Sequence, residues 1–223
     1  MKSLYHVKVL FVLLGLSFLA SAVRAQPESA TDSTDQQTYE NKTQRQLRSQ
    51  SLANPNEFSV WMGFALDSYR LWGKTQDAHI RSFGLRYNRK LVRAYDSVLE
   101  YNLRVNLYSN YSYQGFEPYT YKNSLSGFGI SPVGLQLNFL STGTFQPFVN
   151  ISTGLMYMDK PFPDNRGKKL NFTFDAGGGV EMMIFPSVSL SLGVRYHHLS
   201  NGERGQVNPG IDSNFYYTSI TFF

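Results

Sequence analysis

From Glu57 to the C-terminus the chain keeps returning to a period of two. Phe58, Val60, Met62, Phe64 and Leu66 alternate with Glu57, Ser59, Trp61, Gly63 and Ala65. The pattern recurs over residues 82–87, 99–107, 133–139, 149–157, 171–184 and 187–196, and less cleanly over 212–223. Successive side chains of a strand point to opposite faces, so each segment is expected to be a strand with one apolar face. The opposite parity carries Arg86, Glu100, Arg104, Asp175, Glu181 and Arg195.

Eight such segments with charges on one face need a closed sheet. The connections after segments one, three, five and seven are long and polar, for example SNYSYQGFEPYTYKNSL, and those between are shorter, down to FPS at 185–187. That alternation predicts an all-β fold: an eight-stranded antiparallel transmembrane β-barrel over residues 57–223, with both ends of the chain on the periplasmic side. Closure removes free strand edges. With eight strands the lumen is only wide enough to be filled by side chains, so a plug of ion pairs is expected rather than a pore.

The start of the chain agrees with export. Lys2 and Lys8 precede the apolar run VLFVLLGLSFLASAV, and Val23-Arg24-Ala25 sets small side chains before Gln26. This is the pattern of a signal peptide over residues 1–25, cut near Ala25-Gln26. Removing its three basic residues leaves 18 basic against 16 acidic residues, so the charge gives no support for nucleic-acid binding. There is no cysteine to staple an exported fold. Residues 26–56 are polar and aperiodic and are expected to be a disordered segment. No run beyond the leader is long enough to be a spanning helix, and aromatics make up 15% of the chain.

The stretch RYHHLSNGERGQVNPGID, residues 195–212, is where chemistry is expected. Continuing the period from Val188 puts His198 and Ser200 on the lipid face and turns His197 inward beside Arg195. A crossing takes roughly 9–11 residues, so His198 falls near the outer interface. An imidazole there can take a proton from a neighbouring hydroxyl, and a carboxylate on its far side would fix its tautomer. The chain returns through SNGERGQVNPGID to Asp212, which a hairpin can bring beside His198. Asn201, Asn208 and backbone N–H groups around Gly202 are candidate oxyanion donors. The plainer alternative is that His198 and Ser200 are polar residues at a strand end, and that Asn208-Pro209-Gly210 is only a turn.

The run AGGGVEMMIFPSVSLSLGVRYHHLSNGERGQVNPGID resembles the C-terminal part of the outer-membrane lipid A deacylases of PagL type, also called acyloxyacyl hydrolases. The shared pattern is His-x-Ser-Asn at a strand end (His198, Ser200, Asn201), then Asn-Pro-Gly (Asn208 to Gly210), then an acid fourteen residues after the histidine, Asp212. The resemblance implies hydrolysis of the ester-linked 3-hydroxyacyl chain at position 3 of lipid A. It implies Ser200 as nucleophile, His198 as general base and then acid, Asp212 as orienting carboxylate and Asn208 as an oxyanion contact. Its implied partner is the lipopolysaccharide of the outer leaflet, and its implied place is the bacterial outer membrane. The best-known member carries glutamate where this chain has Asp212. Glu203 is a second, lower-ranked carboxylate in the loop.

Two other functions stay open: a non-catalytic small barrel serving adhesion or envelope stability, and an outer-membrane phospholipase. A homodimer is also left open. No cofactor is expected, and no His/Cys/Asp cluster has the spacing of a catalytic metal site. Gly177-Gly178-Gly179 is expected to mark a bend or a close approach of strands. His79 is expected at a solvated loop end. Tyr108, Tyr111, Tyr113, Tyr119 and Tyr121 are expected to form an aromatic belt at the headgroups, or else a sugar-binding or adhesive surface.

Overall fold

The computed structural model describes residues 53–118, 120–185 and 187–223; the leader, the polar segment up to residue 52, Tyr119 and Pro186 lie outside them. Eight antiparallel strands follow one another around a closed barrel. They are β1 (Asn56–Ala65), β2 (His79–Ala94), β3 (Ser97–Gln114), β4 (Lys122–Phe139), β5 (Phe145–Phe162), β6 (Lys168–Phe185), β7 (Val188–Ser200) and β8 (Ile211–Phe222). The ring closes where β1 meets β8, in a register running from Phe58–Phe222 to Phe64–Tyr216.

The outward parity forms an apolar wall. Phe58, Val60, Met62, Leu192, Ile220 and Phe222 are all exposed, which only a lipid surround makes favourable for so large a patch. Ring pairs mark two levels of it. Phe58 lies against Tyr87 near one end, while Phe83–Tyr108 and Phe128–Tyr157 pair near the other. Such girdles sit where hydrocarbon gives way to headgroups.

The inward parity fills the lumen. Buried Asp175 receives Arg104, the Arg195 Nε at 3.3 Å and the His197 Nδ1 at 2.8 Å. His197 Nε2 meets the Tyr111 hydroxyl at 3.0 Å, and the Arg195 guanidinium lies over the rings of Trp61, Phe215 and Tyr217. Nearer β1's start, Arg86 reaches Ser59, Ser219 and Thr221. The cavity left between Trp61, Arg104 and Arg195 is about 10 Å³, about one water. Within this plug, a Cβ on Gly177 or Gly179 would come within 2.2 Å of the β7 carbonyls of Val194 and Leu192. The triple glycine is therefore a site of close strand approach.

Two expectations change. The strands are longer than the alternating segments, so the outer connection after β3 covers only residues 115–121 and that after β5 only 163–167. The belt changes because of a phase slip in β3. Leu107 and Tyr108 are both exposed, and the register shifts between Asn106 and Ser109. A bulge inserts one residue and reverses which parity faces out. Past it, Tyr111 and Tyr113 point inward and are 1% and 0% exposed, so they leave the expected aromatic belt. Tyr113 instead donates to the Pro163 carbonyl at 2.7 Å.

Candidate active site

β7 carries no bulge over its upper half, so its parity holds to the tip. Arg195, His197 and Leu199 are buried, while Tyr196, His198 and Ser200 are partly exposed on the outer wall. The ladder places His198 directly opposite Asp212 of β8 and opposite Phe174 of β6, with Ser200 opposite Phe172. Directly opposed residues of antiparallel strands have Cβ atoms about 4.5–5.5 Å apart. An aspartate is long enough to bridge that gap to an imidazole, and Asp212 Oδ1 lies 2.6 Å from His198 Nδ1. The structure brings Asp212, not Glu203, to His198.

Although Asp212 shares the outward parity, it is fully buried. The connection between β1 and β2, residues 66–78, folds across it. Three successive N–H groups, from Leu71, Trp72 and Gly73, donate to Oδ2 at 2.9, 2.6 and 2.5 Å. The Tyr196 hydroxyl donates to Oδ1 at 2.7 Å. Consecutive N–H groups aimed at one point make an anion-binding concavity. The loop is tied down on both sides of this nest: Tyr69 N donates to the Asp212 carbonyl at 2.9 Å, and Lys74 N to the Pro209 carbonyl at 2.5 Å. Thr75 donates from both N and Oγ1 to the Gly210 carbonyl, at 3.1 and 2.5 Å. Gly73 is required by this closeness, since a Cβ there would lie 2.9 Å from the Gly210 carbonyl carbon.

Rings enclose the imidazole. Trp72 meets it edge-on at 5.6 Å and Tyr196 stacks on it at 6.4 Å, while Phe174 packs against both aromatic rings. A carboxylate that also accepts from three amides and a phenol is an acceptor toward the ring, so His198 Nδ1 donates to it and Nε2 is the ring nitrogen turned away from the acid. In the loop, burial and then the Asp212 carboxylate push the Tyr69 phenol up to about 12. It stays a neutral donor, reaching Asn214 at 3.3 Å. Among the described residues no hydrogen bond joins Ser200 to His198.

The turn after β7 is held by its asparagines. Asn201 is fully buried; its N–H donates to Asn208 Oδ1 at 2.9 Å and its Nδ2 to the Val207 carbonyl at 2.7 Å. The Asn201 side chain thus holds the loop through Nδ2, while its buried Oδ1 makes no hydrogen bond among the described residues. With Asn208 Oδ1 fixed by its bond to the Asn201 N–H, its Nδ2 makes no hydrogen bond among the described residues. Gly202 and Glu203 both take positive φ, 61° and 59°, and both are exposed. His197 lies inside the barrel on Asp175, and His79 is exposed at the start of β2.

Sequence reasoning missed the Leu71–Gly73 amides, Tyr196 and Trp72. Backbone N–H groups have no residue signature. The only visible hint was a pair of apolar side chains and a glycine, Leu71-Trp72-Gly73, in an otherwise polar connection.

The model of the lipid A 3-O-deacylase (PagL) family matches residues 81–221, well over half of the chain. The chain belongs to this family. Among solved structures it is similar to the outer membrane enzyme PagL, with 17% identity and a TM-score of 0.52 over 73% of this chain and 97% of that one. It is also similar to the outer membrane protein OprG from Pseudomonas aeruginosa, with 15% identity and a TM-score of 0.46 over 75% and 96%. Neisserial surface protein A follows with 14%, 0.45, 76% and 97%. A comparison with curated protein sequences finds no match. Membership in the lipid A 3-O-deacylase family, with the lipid-facing barrel, places the chain in the bacterial outer membrane. The connection that cradles Asp212 precedes the span matched by the family model.

Proposed function

We propose that the chain is an outer-membrane esterase that releases the ester-linked 3-hydroxyacyl chain from position 3 of lipid A. Ser200 is the nucleophile, His198 the general base and acid, and Asp212 the orienting carboxylate. The observation that carries this reading is the 2.6 Å contact between His198 and the cradled Asp212 on the outer wall, two residues from Ser200 on the same face.

In the first half, Ser200 Oγ attacks the acyl carbonyl carbon as His198 Nε2 takes its proton. Asp212 stabilises the imidazolium without accepting the proton. Asn208 Nδ2, with the N–H of Gly202, faces the developing oxyanion. Collapse breaks the bond to the sugar oxygen, which leaves with the proton from His198. Water then attacks the acyl-serine, His198 again serving as base, and the 3-hydroxy fatty acid departs. The Ser–His hydrogen bond of such sites often tightens only once substrate is bound. A substrate that already lies in the outer leaflet needs no pore, which fits a plugged barrel.

The test is mass spectrometry of lipid A from cells making the wild-type chain beside cells making Ser200→Ala. Loss of one hydroxyacyl mass in the wild type alone is expected. Identical spectra from folded proteins would sink the reading and direct attention to phospholipid, or to a barrel that binds without cutting.

A further inference from the structure

A groove of about 1110 Å³ runs along the outer wall from β7 and β8 across β1 to β4. Its floor is apolar, with Phe64, Phe83 and Tyr216 among its residues, and its upper edge carries His79, Arg81 and Lys122. None of the residues lining it is acidic. Arg81 and Lys122 are exposed, and among the described residues neither makes an ion pair or a side-chain hydrogen bond. The ladder fixes their height. Arg81 pairs with Phe64 and Asn110, one outward step above the Phe83–Tyr108 ring pair, and His79 and Lys122 lie higher still.

Cations that find no acid among the described residues, set just above an aromatic girdle and over an apolar trough, complement an amphiphile with an anionic headgroup. The groove also reaches the catalytic wall. Tyr216 shares the outward parity of Asp212 on β8, two outward steps below it. Strands lie about 4.8 Å apart, so Arg81 on β2 stands on the order of 10 Å sideways from β8. One lipid can present an ester to Ser200, lay acyl chains in the groove and extend its headgroup to this edge.

We propose that Arg81 and Lys122, with His79, form a phosphate-binding rim that holds a phosphomonoester of the substrate lipid and selects phosphorylated headgroups. The proposal rests on the esterase reading for its choice of lipid. The groove and its cationic edge that carry it are separate from the Ser-His-Asp geometry.

The experiment measures binding, so it does not depend on turnover. The full chain carrying Ser200→Ala, which cannot consume the ligand, is titrated in uncharged detergent with bisphosphorylated lipid A and with the same lipid lacking one phosphate. Native mass spectrometry reads the bound fraction. The bisphosphorylated lipid is expected to bind about tenfold more tightly, the effect of one charge-assisted hydrogen bond. Adding Arg81→Gln and Lys122→Gln should abolish that preference while thermal unfolding stays unchanged. Equal binding of the two lipids, or a preference that survives the double substitution, overturns the rim. So does equal competition by phosphatidylglycerol, which would mark a general attraction to anionic lipid. If the preference holds but the wild-type chain leaves lipid A intact, the esterase reading fails and the rim stands.

Discussion

Asp212 sits directly across the β7–β8 ladder from His198, with Oδ1 2.6 Å from Nδ1, while its other oxygen is held by the amides of Leu71, Trp72 and Gly73. Both oxygens are thus fixed from opposite sides, one by the ring it orients and one by a loop from across the barrel seam. An aspartate is long enough to reach the ring because its strand position already faces the histidine.

Asp212→Asn keeps the shape but replaces an acceptor-only group with an amide that can steer the imidazole into the wrong tautomer. Turnover should fall by about 10⁴, the scale of such a change in a serine triad, with the heat-modified gel shift of the folded barrel retained. Unchanged turnover would move the orienting role to Glu203 or remove it.

Asp212→Glu conserves the charge but pushes the carboxylate one methylene further into a cradle closed at 2.5–2.9 Å. Turnover should drop by about 10- to 100-fold, the cost of a misplacement near 1 Å. Equal or higher activity would show that the loop yields readily and that the cradle is not rigid.

Gly73→Ala tests the loop while leaving the acid itself unsubstituted. The new Cβ would fall 2.9 Å from the Gly210 carbonyl carbon and 3.0 Å from Asp212 N, both backbone atoms. The loop must lift, so kcat should fall about tenfold or more while unfolding temperature changes little. A fall in stability with kcat intact would make the loop a structural strap.

Tyr196→Phe removes one donor to Asp212 Oδ1 and leaves the ring stacked on His198. A hydrogen bond to a charged group is worth about 1.5–3 kcal/mol, so kcat should fall by roughly 10- to 100-fold. KM should be unchanged, because the hydroxyl is turned to the acid; a change confined to KM would place it on the substrate.

Asp175→Asn strikes the lumen instead. It strips Arg104, Arg195 and His197 of their common carboxylate. Breaking a buried ionic cluster from one side costs about 3–5 kcal/mol, to be read as a lower urea midpoint of the refolded barrel. A midpoint within error of wild type would mean the plug re-pairs around other groups.

The strand count and the outward face of His198 and Ser200 were legible in the chain, because a pleated strand writes its two faces into alternate residues. The fourteen-residue spacing from His198 to Asp212 was legible too, as one hairpin. The phase slip at Leu107-Tyr108 was not, since a bulge depends on how β3 pairs with its neighbours rather than on either residue, and so Tyr111 and Tyr113 were assigned to the wrong side. Nor was the cradle. Its donors are main-chain atoms from residues 71–73, which meet Asp212 some 140 positions later only because β1 and β8 close the ring. Local alternation determined which face each side chain takes; closure of the barrel, a property of the whole sheet, decided which distant backbone came to rest on it.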